Sequence, residues 1–149
     1  MLSNYLINNT NFLEDIFSWE ESIRVAAQPL LEKGFITSKY IQDMIDNVNI
    51  NGPYIVIVPG IAMPHARNEG GVIKTGVSFL KLKNPVLYPE EKAVNILFVL
   101  AAKDSDGHLD LISDLSSMLM DEDIMSKFRN AENENEIIEL IKLAEEQEL

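Results

Sequence analysis

The chain has no cysteine. That excludes disulfides, thiolate metal sites and a cysteine nucleophile, and it fits a reducing compartment. Histidine is nearly absent too, with only His65 and His108 among 149 residues. No apolar run approaches the roughly 18 residues needed to cross a bilayer. The first residues, Met1 to Leu6, lack the basic start and apolar stretch of a signal peptide, so a cytoplasmic location is expected. Cations are scarce: Lys and Arg total 12 against 24 Asp and Glu, a net charge of −12. This argues against nucleic acid or an anionic membrane as partner and favours a basic protein partner. Chemical signatures are missing as well. There is no G-x-x-x-x-G-K-[ST] and no G-x-G-x-x-G for nucleotides, no G-x-S-x-G elbow and no H-E-x-x-H.

What is present reads as one domain over residues 1–149. Hydrophobic residues make up 46% of the chain, enough for one core, and six Pro and seven Gly are ordinary usage. The charge is uneven. Residues 121–149 hold ten acids and three bases, a net of −7; the simplest reading is the outer face of helices.

The pattern predicts a short strand over residues 12–17, then a helix capped by Ser18 and stopped by Gly34. Pro29 falls inside that helix and predicts a kink or restart. Thr37 or Ser38 opens a second helix with Tyr40, Ile41, Met44, Ile45 and Val48 on one face. Asn51-Gly52-Pro53 breaks the chain before a strand over 54–58, ended by Pro59-Gly60. A loop carries His65, Asn68 to Gly71 form a turn, and 72–82 read as a strand. Pro85 and Pro89 bracket an edge-like connection. Residues 93–102 are almost continuously apolar, as in a central strand buried on both faces. Helices are predicted over 107–120, from 121 through Phe128, and after an Asn133 cap. The expected architecture is three-layer α/β: a mixed sheet flanked by helices on both faces, with both histidines just beyond strand ends.

Two readings of His65 stand on the residues alone. One is an ordinary loop histidine bonded to a carbonyl. The other is a nucleophile for an anionic group, because an imidazole nitrogen can attack phosphorus at cellular pH and later leave. Pro64 fixes the backbone before it, and Pro59-Gly60 permit a close approach. His108 falls in the first turn of a capped helix, where N–H groups and the dipole attract an anion; its alternative is a solvated first-turn residue. Arg67 suits phosphoryl oxygens or solvent equally. The two histidines lack a short ligand spacing, so a metal site and a metal-dependent hydrolase are disfavoured. Lys74, Lys81 and Lys83 read as a solvated strand edge. Met118 and Met120 read as core filler, and Ile61 and Met63 as either core or an apolar rim around His65.

The run Gly60-Ile61-Ala62-Met63-Pro64-His65-Ala66 resembles the stretch around the phosphorylated histidine of EIIA components of the bacterial sugar phosphotransferase system, mannitol/fructose class. The resemblance extends through Lys74-Thr75-Gly76-Val77 and Leu100-Ala101-Ala102 to His108. It implies a mixed sheet between helical layers and a cytoplasmic phosphocarrier. By the same resemblance His65 accepts phosphate from the carrier HPr, His108 supports the phosphoryl group, and a cysteine of EIIB receives it. The membrane component EIIC is served indirectly, and no metal or nucleotide takes part. Residues 51–67 look most like the ascorbate-type branch. Mannitol-type members carry an upstream arginine near Asp46-Asn47. Asn47 cannot supply that charge, which shifts the expected cation to Arg67. A regulatory module whose histidine phosphorylation controls a protein partner is the alternative use of the same domain.

Overall fold

Lys92–Ala101 form β5, the strand around which the sheet is built. The structure, a computed structural model, describes residues 2–147, with the side chains of Ser105, His108 and Gln147 outside the described part. β5 lies between β4 (Gly76–Tyr88), antiparallel to it, and β3 (Gly60–Ala62), parallel to it. β1 (Thr10–Leu13) pairs parallel with β4, and β2 (Val56–Val58) pairs antiparallel with β3, giving the order β1-β4-β5-β3-β2. The continuous apolar run of β5 follows from cover on both faces. Ile96, Phe98 and Leu100 enter one core cluster, and Leu97, Val99 and Ala101 enter the other.

The helices divide between those clusters. α2 (Trp19–Glu32) and α3 (Ser38–Asn51) cover one face through Ile23, Leu30, Tyr40 and Met44. α1 (Leu2–Leu6), α4 (Ser105–Leu119), α5 (Glu122–Asn130) and α6 (Glu134–Gln147) cover the other through Leu6, Leu115, Phe128 and Ile141. The expected three-layer α/β arrangement is therefore the observed one. Phe79, Phe98 and Phe128 stack edge-on in series, with centroids 5.1 and 5.9 Å apart, and fix α5 to the sheet.

Several element boundaries differ from the sequence reading. The first strand is Thr10–Leu13 rather than 12–17, because Asn9 and its neighbours join β4. α1 precedes it and had no periodic signature at five residues. β3 is a strand where a loop was expected; Gly60 (φ 87°) turns the chain back from β2 so tightly that Pro59 alone separates the two strands. β4 begins at Gly76 rather than 72 and runs on to Tyr88 through Pro85. Its ladder with β5 is interrupted between Lys81 and Val86, and Pro85 sits in that interruption, where a missing N–H costs little.

Pro29 does not break α2. A proline there leaves the carbonyl of Val25 without its helical donor. The side-chain amide of Asn11, on β1, donates to that carbonyl at 3.4 Å. A neighbouring strand thus supplies the bond that the proline removes.

Candidate functional site

β3 and β5 run parallel, so their C-terminal ends open on the same side of the sheet. Ligand sites in α/β sheets favour this position. After β3 the chain keeps contact with both neighbours for two more residues. Met63 N–H donates to Ile55 O at 2.8 Å, and Leu100 N–H donates to Pro64 O at 3.0 Å. Pro64 is buried and His65 is the first residue to emerge, half-buried. Pro64 thus anchors the backbone directly before the histidine.

Met63 and Tyr54 both contact the His65 ring. Nδ1 lies 2.6 Å from the carbonyl oxygen of Met63. A carbonyl only accepts, so Nδ1 carries the proton and the in-plane lone pair belongs to Nε2. The ring of Tyr54 meets the imidazole edge-on, at 5.8 Å and 89°. Partial burial pushes the Tyr54 hydroxyl above its ordinary pKa, with the nearby Asn47 side chain pulling the other way. The ring therefore stays a neutral wall.

His65 and Tyr54 line an open cleft of about 490 Å³ between α3 and the 63–69 loop. Its charge is mostly negative: Asp43, Asp46 and Glu69 lie on its wall, and Arg67 is the one Lys or Arg among the described lining residues. Asp43 is paired with Lys39 at 2.8 Å, and Asp46 accepts from the Gln42 amide at 2.8 Å. Arg67 is exposed and makes no ion pair among the described residues, so its guanidinium can turn to an anion at His65. The structure brings His65 and Arg67 into one cleft, as the sequence spacing suggested.

His108 lies in the first turn of α4, which starts immediately beyond β5. Its side chain is outside the described residues. Asp104 caps that helix, its carboxylate accepting from Gly107 N–H at 2.7 Å. Among the described residues, no group of three or more metal-binding side chains converges.

Other expectations are corrected. Ile61 (0% exposed) and Met63 (2%) are core, not a rim; the apolar surface at the cleft is Ile50 (78%) and Tyr54 (47%). Both lie at or just beyond the end of α3, upstream of the run that carries His65. Met118 is core as expected, but Met120 is exposed. The three lysines do not form a solvated edge, since β4 is an interior strand. Lys74 precedes β4 and sits over the Phe35 ring at 4.9 Å. Lys81 donates to the carbonyls of Arg129 (2.6 Å) and Ala131, tying the end of α5 to the sheet. Burial pulls its pKa down.

Sequence reading also missed two residues that shape the His65 loop. Asn68 Oδ1 accepts from Gly70 and Val72 N–H, each at 3.0 Å, and its amide donates to Val72 O at 3.1 Å and Lys103 O at 2.8 Å. One side chain therefore folds the turn and joins it to the residue before the α4 cap. Its sequence signal was only that of a turn asparagine. Tyr40, read as a core residue, places its hydroxyl on Ala66 and Leu100.

Residues 5–144 match the family described as "Phosphoenolpyruvate-dependent sugar phosphotransferase system, EIIA 2". The chain is 35% identical over 142 residues to the mannitol-specific cryptic phosphotransferase enzyme IIA component of Escherichia coli (strain K12), covering 94% of this chain and 97% of that one. It is also 35% identical over 127 residues to the ascorbate-specific PTS system EIIA component of the same strain, covering 83% of this chain and 82% of that one. Among solved structures, it superposes with a TM-score of 0.79 and 26% identity on the mannitol enzyme IIA in a complex with phosphorylated mannitol enzyme IIB from Escherichia coli, covering 91% of this chain and 94% of that one. The chain belongs to this EIIA family and is a phosphotransferase component.

Proposed function

We propose that this EIIA component carries its phosphoryl group on Nε2 of His65. The single observation that supports it most is the 2.6 Å bond from His65 Nδ1 to the Met63 carbonyl, which leaves the lone pair on the other nitrogen. Phosphorylated HPr is the donor. Nε2 attacks phosphorus, the N–P bond to the donor imidazole breaks, and that imidazole keeps the electron pair. Nδ1–H stays on Met63 O throughout. In the second transfer a cysteine thiolate of EIIB attacks phosphorus, and the pair returns to Nε2. No proton need move at His65 in either direction, so the step is reversible and depends on positioning and charge.

Arg67 lines the same cleft as His65, where the other charged lining residues are the carboxylates Asp43, Asp46 and Glu69. Its fork suits two phosphoryl oxygens. His108, at the N-terminal turn of α4, supplies a further donor beside the helix dipole. EIIB is supported as acceptor by the complex of the mannitol relative with its phosphorylated enzyme IIB.

For the sugar, the reading is ascorbate. It is supported by the run from Asn51 to Arg67 and by Asn47 standing near the upstream arginine of mannitol-type members. The two relatives above carry different sugar names at equal identity, so the acceptor decides. With phosphate supplied through HPr, the protein should label an ascorbate-type EIIB at least tenfold faster than a mannitol-type EIIB. The reverse preference refutes the ascorbate assignment. His65→Ala should accept no phosphate, and full labelling of that variant refutes the carrier site itself.

A further inference from the structure

The histidines of the proposed relay lie on separate segments, one after β3 and one after β5. A backbone bond, Leu100 N–H to Pro64 O, registers them up to His65. Beyond it the loop leaves the strand, and the next rung is built by a side chain. Tyr40, on α3, is fully buried. Its hydroxyl donates to Leu100 O at 2.5 Å and accepts from Ala66 N–H at 3.1 Å, with Ala66 O 3.3 Å away. Ala66 directly follows His65, and Leu100 lies near the end of the strand that launches α4.

Tyr40 is itself held in place. Its N–H donates to Thr37 O at 3.1 Å, and Thr37 N–H donates to Gly71 O at 2.9 Å. Gly71 backs onto it so closely that a Cβ there would sit 2.9 Å from Tyr40 Cβ and 3.0 Å from its Cα. The hydroxyl is therefore a fixed point between the two segments rather than a group that follows them.

We propose that Tyr40 is a positioning residue for phosphoryl transfer, its hydroxyl setting the His65 loop against the strand end that leads to His108. This rests on His65 being the phosphoryl acceptor. In-line transfer tolerates little misplacement: an error near 1 Å in a reacting group can cost about a hundredfold in rate. Phenylalanine fills the same volume but can bond neither Leu100 O nor Ala66 N–H, so the loop loses its reference.

The test compares Tyr40→Phe with Ser22→Ala. Ser22 makes another buried hydroxyl bond, 2.7 Å to Tyr88, at the opposite end of β5. Ser22→Ala therefore controls for stability loss without touching the His65 loop. Each variant is assayed at a temperature where circular dichroism shows it folded. Tyr40→Phe should lower kcat for acceptance from phosphorylated HPr by about tenfold or more, with KM for HPr unchanged. The ring nitrogens of His65 in ¹⁵N spectra should shift from the Nδ1–H form toward a mixture of tautomers. Ser22→Ala should keep both the kcat and the spectrum. If Tyr40→Phe does not fold, Gly71→Ala, which presses on Tyr40 from behind, decides by the same two readouts. Wild-type kcat with a wild-type ring spectrum overturns the proposal, as does an equal kcat loss in Ser22→Ala. His65→Ala run alongside separates the two claims. If it still accepts phosphate, the acceptor reading falls and this proposal with it; if only the Tyr40 arm fails, the acceptor reading stands.

Discussion

The carbonyl oxygen of Met63 lies 2.6 Å from Nδ1 of His65, two residues along the same chain. Met63 is almost completely buried and its own N–H is bonded to Ile55, so the carbonyl is fixed by the sheet rather than by the loop. A core residue thereby selects which imidazole nitrogen carries the proton. This is the link from packing to chemistry on which the functional reading turns.

Arg67 is the one Lys or Arg among the described residues that line this acidic cleft, so its loss should be felt in the transfer step. Charge-assisted bonds contribute about 1.5–3 kcal/mol, so Arg67→Ala should slow transfer roughly tenfold to a hundredfold. Arg67→Lys should recover part of this as a point charge without the fork. Rapid-quench measurement of phosphate acceptance checks it, and an unchanged rate in Arg67→Ala assigns the arginine to solvent.

Ile50 is 78% exposed at the cleft rim and contributes little to the core. An exposed isoleucine beside the proposed transfer site suits partner contact, worth on the order of 1–2 kcal/mol when covered. Ile50→Ser should therefore raise KM for HPr and EIIB several-fold and leave the melting temperature within a degree or two. A fall in kcat with unchanged KM would place Ile50 elsewhere in the mechanism.

Asn68 makes four bonds that no smaller side chain can replace. Asn68→Ala should cost about 1–2 kcal/mol of stability and slow transfer, because the His65 loop loses its tie to Lys103. Asn68→Asp keeps the two accepted bonds but cannot donate to Val72 and Lys103. It should retain the turn yet lose the tie, so transfer should suffer in both variants. Chemical denaturation and the transfer assay read the two effects separately.

Burial pushes the hydroxyls of Tyr40 and Tyr88 well above the ordinary tyrosine value of 10.0. A folded pKa above the unfolded one means the fold favours the protonated form. That stability is fully present below about pH 10 and is lost as pH rises beyond it. Alkaline titration by tyrosinate absorbance should show Tyr40 and Tyr88 ionising only together with loss of the circular dichroism signal. Ionisation of either within an intact fold at pH 10 would contradict their buried bonding.

Much of this was legible in the sequence because it rests on short-range rules. The apolar run of β5, the Ser18 cap of α2, the helix opening at residues 121–123 and the Asn133 cap before α6 need only local chemistry, and each was found in place. That His65 and Arg67 share one cleft was legible because only one residue lies between them. What was not legible depends on partners distant in sequence. Pro29 stays helical because Asn11, 14 positions before Val25, reaches the Val25 carbonyl that the proline leaves without a donor. Lys81 reads as an edge lysine until α5 arrives to receive it. Tyr40 reads as core by its spacing, and only the folded loop gives its hydroxyl something to hold. Ile61 and Met63 look as eligible for a rim as Ile50 until β3 turns them inward.

The most direct measurement is the position of the phosphate on the protein. After labelling by phosphorylated HPr, ³¹P and ¹⁵N spectra with peptide mapping should place one acid-labile, base-stable phosphate on Nε2 of His65. Phosphate on Nδ1 of His65, on His108 or on a hydroxyl or carboxyl group would contradict the account.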